Sequence, residues 1–283
     1  MKKKLIIILS CIVLLGTITV ISYSKAAIFN LTDFRVKYLD ISSSELPASF
    51  NNASVMFFSD LEYGTYFREK RLDKFIREVE NLNADVVIFG GDLFDKVFSP
   101  YNEDVEKLTE SLSKIKAPFG KFAILGDFDQ VTDQRKALAT KILNDAGFEL
   151  LDNNPIALHH DTNEFINLIG INYFEGDIDM SEHFLSAQPT QYNLTVIHGA
   201  AVFDILPIGM SDYTLSGHSH HMQVNLPLMV NREDYQQTAK YTTGKVTQSN
   251  ATMYITKGVG TTDKDYRFFS DPEIVFLRFK ATR

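Results

Sequence analysis

Cysteine and clustered basic residues are scarce in this chain of 283 residues. The only cysteine, Cys11, lies within an apolar run, so an intramolecular disulfide and a thiolate metal site are both excluded. The formal net charge is -8 at pH 7, and no stripe of lysine and arginine occurs downstream of the N-terminal lysines. This distribution argues against a nucleic-acid-binding surface. Internal repeats and low-complexity tracts are also lacking, which argues against a repeat architecture.

The N-terminus carries the features of a membrane anchor. Lys2, Lys3 and Lys4 precede an uncharged, mostly apolar run, Leu5 to Ser24, which is close to the roughly 20 residues that a spanning helix needs. A cleaved signal peptide is the alternative, but no clear small-x-small cleavage site follows. Residues 1–25 are therefore predicted to form a single-pass anchor in the cell membrane. Because the lysines hold their end in the cytoplasm, residues 26–283 should form one extracytoplasmic domain.

The sequence after the anchor predicts an α/β protein. Loose alternation from Phe34 to Ile41 predicts a strand at the edge of a sheet. Two runs with helical periodicity then separate strand-like segments, and each predicts a βαβ unit: Leu72, Phe75, Ile76 and Val79, followed by Val105, Leu108, Leu112 and Ile115. A third helix is predicted to have Asp133 as its N-cap and to end at Gly147. Right-handed crossovers then make the sheet largely parallel.

Strand-like segments dominate the sequence after residue 148. They comprise Ile156 to His159, Phe165 to Ile171, Met253 to Thr256 and Glu273 to Phe279. These segments predict a second, more antiparallel sheet. The polar segment Asn231 to Asn250 is predicted to be a loop or a flexible hairpin near the functional site. The simplest architecture for these elements is two facing mixed β-sheets flanked by helices.

Five apolar runs each end in a residue that can bind a metal. They are Val55 to Asp60, Val86 to Asp92, Phe122 to Asp127, Leu194 to His198, and Tyr213 to His218. In an α/β protein, ligands collect beyond the carboxyl ends of the strands. One aspartate after a strand is more often a cap or turn residue. Five such endings together predict one site.

The candidate ligands are carboxylates and imidazoles. They are Asp60, Glu62, Asp92, Asp127, His198, His218 and His220. This mixture suits divalent ions such as Mn²⁺, Fe²⁺ or Zn²⁺, and seven groups suit two ions better than one. Two ions roughly 3.5–4 Å apart can clamp the attacking and leaving oxygens of a phosphoryl group. In an extended segment His218 and His220 would point the same way, which favours metal binding over packing.

The motifs resemble those of the calcineurin-like metallophosphoesterases, in particular a membrane-anchored bacterial branch. The usual signatures of that family are Asp-x-His, Gly-Asp, Gly-Asn-His-Asp, a lone His, and Gly-His-x-His. Their counterparts here occur in the same order: Asp60-Leu61-Glu62, Gly91-Asp92, Gly126-Asp127-Phe128-Asp129, His198, and Gly217-His218-Ser219-His220. The resemblance extends over roughly Phe34 to Phe279 and implies a four-layer αββα sandwich.

The resemblance also implies the roles of the ligands. One metal would be held by Asp60, Glu62, Asp92 and His220. The other metal would be held by Asp92, Asp127, His198 and His218. A bridging Asp92 and attack by a metal-bound hydroxide are implied as well. The cofactors would be two divalent ions, Mn, Fe, Zn or Mg, with Mn favoured.

Three positions depart from the pattern of the family. Glu62 replaces a histidine and Asp127 an asparagine, so the site has more negative charge and should favour harder ions. Phe128 replaces the histidine that assists the leaving group, and such assistance is typically worth about 10²–10⁴-fold. His221 is the nearest candidate to replace it, and Asp129 is the second predicted catalytic residue. Arg267 is predicted to bind a substrate phosphate, a surface ion pair being the alternative.

These features predict a membrane-anchored, dinuclear metal-dependent phosphohydrolase. Its substrate would be a phosphomonoester or a phosphodiester outside the cytoplasm. Phe128 keeps open an alternative from another class, a catalytically weak or inactive domain that binds a phosphorylated envelope component. A purely structural role for the metals is the third hypothesis, although a core of this size does not need them.

Overall fold

The computed structural model describes residues 2–25, 30–101, 104–152, 154–173, 184, 191–224, 240–248 and 251–282. The N-terminal helix α1 (Lys2–Ser24) is exposed along its length. Its segment Lys3–Ser24 has a mean hydropathy of 2.8 and is long enough to cross a membrane, although a signal sequence satisfies the same criteria. In the predicted loop, residues 231–239 and 249–250 lie outside the described residues.

Three further helices and twelve strands make up the regular structure of the described residues. The helices are α2 (Glu69–Glu80), α3 (Val105–Ser113) and α4 (Asp133–Asp145). The strands are β1 (Arg35–Ser43), β2 (Ser54–Phe58), β3 (Val86–Phe89), β4 (Lys121–Ala123), β5 (Glu149–Leu150), β6 (Ile156–His159), β7 (Phe165–Ile171), β8 (Asn193–Gly199), β9 (Tyr213–Gly217), β10 (Gly244–Gln248), β11 (Ala251–Ile255) and β12 (Glu273–Ala281).

The strands form two mixed six-stranded sheets, as predicted. The first has the order β1-β12-β2-β3-β4-β5, and the second β10-β11-β9-β8-β7-β6. Strand β1 lies at an edge, and β2 to β5 are parallel. The prediction for the run Glu273 to Phe279 was wrong, because β12 lies in the first sheet and pairs antiparallel with β2. The second sheet is antiparallel only at its two edge pairs, since β7, β8, β9 and β11 run parallel.

Alternation along the strands divides the core into layers. In β2, Met56 and Phe58 belong to the cluster formed with α2, α3 and α4, whereas Val55 and Phe57 pack between the two sheets. A strand places successive side chains on opposite faces, so a short run such as β2 can be buried on both. A third cluster covers the outer face of the second sheet and includes residues of a short 3₁₀ helix, Ala200–Asp204.

The helix faces agree with the predicted periodicity. The buried residues of α2 are the predicted set, Leu72, Phe75, Ile76 and Val79. In α4 the N-cap is Thr132 rather than Asp133. Thr132 has an extended backbone, and its hydroxyl accepts a hydrogen bond from the amide of Arg135 at 3.2 Å. Both residue types can cap a helix, so the sequence alone favours neither position strongly. Gly147 follows the end of α4 with φ of 83°, as a helix stop requires.

Candidate metal centre

The candidate ligands meet where strands of the two sheets end. Asp60, Asp92 and Asp127 follow β2, β3 and β4, while His198 lies near the end of β8 and His218 directly after β9. Parallel strands bring their carboxyl ends to one edge, and the two sheets face each other there. Residues from five strands therefore share one cleft.

Four of these residues form a compact ligand group, called the first group below. Asp92, Asp127, His198 and His218 each offer one ligand atom within 4.8 Å of the others. The Nε2 atom of His198 lies 3.1 Å from Asp92 Oδ2 and 3.0 Å from Asp127 Oδ1. His218 Nδ1 lies 3.1 Å from the same Asp127 oxygen and 3.2 Å from His198 Nε2. This spacing suits a single cation among the four atoms.

His198 provides a test of whether a cation fits. Its Nδ1 lies 2.8 Å from the carbonyl oxygen of Gly90, which can only accept, so Nδ1 carries a proton and donates. If the imidazole is neutral, Nε2 is then unprotonated, and its lone pair points at two carboxylate oxygens. Nε2 and the two carboxylate oxygens are then three acceptor atoms close together, and a proton or a metal ion between them would satisfy all three. A histidine whose other nitrogen donates to a carbonyl is also the usual arrangement of a metal ligand.

The second group consists of Asp60, Glu62 and His220. His220 Nε2 lies 3.1 Å from Glu62 Oε1 and 3.9 Å from Asp60 Oδ1. Asp60 is held in place by the backbone amide of His218, at 2.9 Å and 3.2 Å from its two oxygens. Glu62 Oε2 is buried and has no hydrogen-bond partner among the described residues. A buried carboxylate oxygen without a donor is costly, and a cation would satisfy it.

Arg267, predicted to bind a substrate phosphate, lies buried behind the second group. Its side chain is fully buried, and its nitrogens donate to the carbonyl oxygens of Gly260, Lys257 and Ser270. Nη2 also lies 3.2 Å from His220 Nδ1. Every guanidinium nitrogen thus forms a hydrogen bond inside the protein, so no pair of N–H groups is directed at a phosphate in the cavity. The predicted alternative, a surface ion pair, is wrong because the side chain is buried.

The contact with Arg267 determines the tautomer of His220. A guanidinium can only donate, so His220 Nδ1 accepts and Nε2 carries the proton that is donated to Glu62. A neutral imidazole keeps one proton, so a cation could bind Nε2 only if that proton moved to Nδ1 and the contact with Arg267 were lost. The second group therefore fits a metal through its carboxylates directly and through His220 only after that rearrangement.

Five candidate ligands adopt left-handed backbone conformations. They are Asp60, Glu62, Asp92, His218 and His220, with φ between 47° and 67°. Such conformations cost of order 1–3 kcal/mol each in non-glycine residues and are concentrated at functional sites. The expected extended segment is therefore absent after Gly217: the chain turns, so that His218 points to the first group and His220 to the second.

Two glycines allow close approach to the aspartates. A Cβ on Gly126 would lie 2.1 Å from Asp92 Oδ1, and one on Gly258 would lie 2.7 Å from Asp60 Oδ2. Gly258 also has φ of 67°, which favours glycine. The backbone of these loops thus packs directly against the two carboxylates.

The two predicted catalytic residues, Asp129 and His221, are not among the residues that line the cavity beside the two groups. Asp129 is fully buried and accepts hydrogen bonds from the amides of Leu93, Phe94 and Gly126 at 2.9–3.2 Å. It therefore joins the loops after β3 and β4. His221 is half-buried and is not among the residues that line the cavity beside the two groups. Neither residue lines that cavity.

The carboxylates give the site an excess of negative charge. Burial and the charges of Asp92 and Asp60 raise the pKa of Glu62 well above its usual value. Burial, with the charge of Asp92, raises the pKa of Asp129 to about 7. Burial opposes protonation of His198, but Asp92 and the hydrogen bond to Asp127 outweigh it and raise the pKa of His198. These three groups therefore take up protons readily, whereas burial lowers the pKa of His220 to about 4.

A cavity of about 160 Å³ opens onto both ligand groups. Glu62, Asp92, His218 and His220 line it together with Phe128. Phe128 thus forms part of the cavity wall, and its amide donates to Asp92 Oδ1 at 3.0 Å. Lys96, which no sequence motif indicated, lines the same cavity.

The fold and the site define a class: two-sheet α/β proteins with a cluster of metal-binding side chains at the strand ends. The calcineurin-like phosphoesterase family matches residues 53–222, more than half of the chain. The chain therefore belongs to the calcineurin-like phosphoesterase family, whose members use divalent metal ions.

Several bacterial proteins are similar over most of their length. The metallophosphoesterase YkuE of Bacillus subtilis is 24% identical, with 86% of this chain and 84% of YkuE covered. The UDP-2,3-diacylglucosamine pyrophosphatase LpxG of Chlamydia muridarum is 25% identical, with 78% and 81% covered. A metallophosphoesterase of Aquifex aeolicus is 24% identical, with 87% and 92% covered. These proteins share the whole domain rather than an isolated motif.

Proposed function

We propose that the protein is a dinuclear metal-dependent phosphohydrolase that acts on a phosphomonoester or phosphodiester. The observation that carries this proposal is the convergence of acceptor atoms in two adjoining groups beside one cavity. His198 Nε2 faces two carboxylate oxygens, and a buried oxygen of Glu62 has no partner among the described residues. Both features call for cations.

The residues of each group fit a divalent ion. Asp92, Asp127, His198 and His218 would hold one ion. Asp60, Glu62 and His220 would hold the other, and Asp92 lines the same cavity as Glu62 and His220. Bound metals supply Lewis-acid polarisation of phosphoryl oxygens and a nucleophile generated from water at neutral pH. The extra carboxylates favour Mn²⁺ or other hard ions over soft ones.

The surrounding residues position these ligands. Gly90 fixes the ring of His198 through its carbonyl oxygen, and the amide of Phe128 fixes Asp92. Asp129 joins the two loops that carry Asp92 and Asp127 by accepting three backbone amides. These contacts give the carboxylates a defined geometry before any substrate binds, and such preorganisation is the main contribution that a protein makes to phosphoryl transfer.

The N-terminal helix supports a location at the membrane. We infer that α1 anchors the domain and that the domain lies outside the cytoplasm, because the lysines before the helix favour the cytoplasmic side. LpxG, one of the similar proteins, is named for pyrophosphate hydrolysis in a diacylated nucleotide sugar. A phosphorylated component of the envelope is accordingly our preferred substrate class.

Phe128 supports a second candidate function. A phenyl ring in the cavity wall can neither protonate a leaving group nor stabilise the phosphoryl transition state. The alternative is therefore a catalytically weak or inactive domain that binds metals and a phosphorylated envelope component without turnover.

Metal content and hydrolysis distinguish the two functions. The full-length protein in detergent would be loaded with Mn²⁺, analysed for bound metal, and assayed with mono- and bis-p-nitrophenyl phosphate. The proposal predicts two ions per chain and turnover that Asp92→Ala abolishes, whereas Asp40→Ala, an exposed aspartate on β1, serves as the matched control. Bound metal without turnover of either ester would support the binding domain instead.

A further inference from the structure

The chain enters its first sheet at the edge that carries the metal centre. Strand β1 begins at Arg35, whose amide donates to the carbonyl oxygen of Pro272 at 2.7 Å. Because β1 runs parallel to β12 and β12 runs antiparallel to β2, the start of β1 lies beside the end of β2. Asp60 follows that end, two strands away, and neighbouring strands are about 4.8 Å apart. The start of β1 and the second ligand group thus share one edge of the sheet.

A short connection joins this domain to the predicted membrane anchor. The helix α1 ends at Ser24, and the 3₁₀ turn Asn30–Thr32 already belongs to the domain, where Leu31 is buried. Lys25 and Asn30 are five residues apart, so their Cα atoms can be separated by about 18 Å at most. Because the lysines before α1 favour the cytoplasmic side, the connection leaves the membrane at its extracytoplasmic surface. A domain held this closely must present one of its surfaces to the bilayer.

The exposed apolar side chains indicate which surface this is. Outside α1, eight large hydrophobic side chains are exposed among the described residues, and five of them lie in loops at the metal-site edge. These five, called the apolar rim below, are Tyr66, Val97, Tyr101, Val131 and Phe269. They belong to the loops after β2, β3 and β4 and to the loop before β12. The other three are Tyr38, Ile205 and Ile208. Exposed apolar groups that collect on one surface mark a protein or membrane interaction site.

The composition of the apolar rim suits a membrane surface. Tyr66 and Tyr101 are tyrosines, which prefer the boundary between hydrocarbon and water because the ring is apolar and the hydroxyl is polar. Tyr101 is 95% exposed and Val97 is 71% exposed, so both side chains are accessible to a lipid surface. Lys96 and Lys264 are exposed in the same loops, where their ammonium groups can contact lipid phosphates.

The apolar rim borders the cleft that opens onto the metal ligands. Tyr66 and Val97 line a cavity of about 220 Å³, which shares Lys96 and Asp263 with the metal-facing cavity. The Oη atom of Tyr66 lies 3.4 Å from the carbonyl oxygen of Asp263. A bilayer in contact with the apolar rim would therefore lie at the opening of the metal-facing cavity.

We propose that the apolar rim rests on the extracytoplasmic surface of the membrane that α1 spans, so that the metal-facing cavity opens onto the lipid head groups. This inference rests on the anchor and the phosphohydrolase function proposed above, and it adds the orientation of the domain. The bilayer is favoured over a second copy of the chain because a connection of about 18 Å keeps the bilayer permanently within reach. A second copy would have to arrive by diffusion.

Fluorescence quenching by lipids measures this orientation. The full-length protein would be placed in nanodiscs of phosphatidylcholine and phosphatidylglycerol that contain a lipid with a nitroxide on its head group. Because Cys11 is the only cysteine, the variant Cys11→Ser allows one fluorophore to be attached through Val97→Cys. Ser44→Cys provides the matched control, since Ser44 is exposed and follows the far end of β1.

We expect the emission of the fluorophore at Val97 to fall at least about twofold, and the emission at Ser44 to stay unchanged. The reason is distance: a nitroxide quenches only fluorophores close to it, and the nine residues of β1 separate Ser44 from the metal-site edge by about 30 Å. Equal emission from the two positions would overturn the proposed orientation. Protection of the Val97 fluorophore from aqueous iodide without quenching by the lipid would overturn it too, because another protein then covers the apolar rim.

Two further readouts separate this inference from the proposals on which it rests. Cys11 of the wild type, labelled in the same way, should be quenched by a nitroxide on the acyl chain, because it lies within α1. An unquenched Cys11 would refute the anchor and the orientation with it. Hydrolysis of p-nitrophenyl esters by the same samples tests the enzyme: quenching at Val97 without turnover would refute the phosphohydrolase function and support the orientation.

Discussion

Replacement of Arg267 tests whether this residue is a buried support for the metal centre or a substrate ligand. In Arg267→Met, three carbonyl oxygens and His220 Nδ1 lose their donor. His220 would then be free to rotate or to adopt the other tautomer. The buried charge that faces Asp60 and Glu62 is lost at the same time. We therefore expect a loss of stability.

The magnitude follows from the burial of these groups. Removing one partner from a buried charged network costs about 3–5 kcal/mol. For a domain of this size, each kcal/mol shifts the melting temperature by roughly 2–4 °C, so Arg267→Met should melt about 10 °C below the wild type. Arg267→Lys should fall between the two, because an ammonium group has three donors for four acceptors.

Thermal melting by far-ultraviolet circular dichroism suits this measurement, since the chain has no tryptophan. If Arg267→Lys has the melting temperature of the wild type and only raises KM, the guanidinium binds substrate and is not a buried support for the metal centre.

Three further perturbations follow from the geometry of the site and its surroundings. Gly126→Ala should remove bound metal, because its Cβ would lie 2.1 Å from Asp92 Oδ1, whereas Gly199→Ala meets nothing within 4 Å and should retain it in elemental analysis. Phe128→His should increase hydrolysis of poor leaving groups by about 10²-fold or more in steady-state assays; equal rates would mean that the phenyl ring is not limiting. Burial lowers the pKa of Lys121 to about 8, so between that pH and the ordinary value of 10.5 the unfolded state binds more protons and stability rises with pH. The melting temperature of the wild type should therefore rise relative to Lys121→Met over this range, and parallel pH profiles would contradict the shift.

Much of the fold could be predicted from periodicity alone. The buried face of α2 is the predicted one because an amphipathic helix repeats its apolar positions every three or four residues. The sheet to which β12 belongs could not be predicted in this way. Its pairing with β2 joins residues more than two hundred positions apart, and a period of two identifies a strand without indicating its neighbours.

The candidate site could also be predicted only in part, because local patterns identify the strand ends but not the contacts between distant segments. Strand ends predicted that Asp92 and His198 would meet, since parallel strands share an edge. The position of Arg267 could not be predicted, because a buried arginine is distinguished only by the carbonyl oxygens that the folded chain brings around it. Lys96 follows no motif either, and only the cavity that it lines indicates a role.

The electrostatics explain why this cleft requires cations. Burial, with the charges of Asp92 and Asp60, raises the pKa of Glu62, while Asp92 and Asp127 overcome the effect of burial and raise the pKa of His198. Both changes bring protons into a region that carboxylates make negative. Arg267 contributes one fixed positive charge, but its guanidinium lies behind His220 and donates hydrogen bonds to three carbonyl oxygens. The remaining negative charge faces the cavity, where hard divalent ions can neutralise it with the oxygen ligands that they prefer.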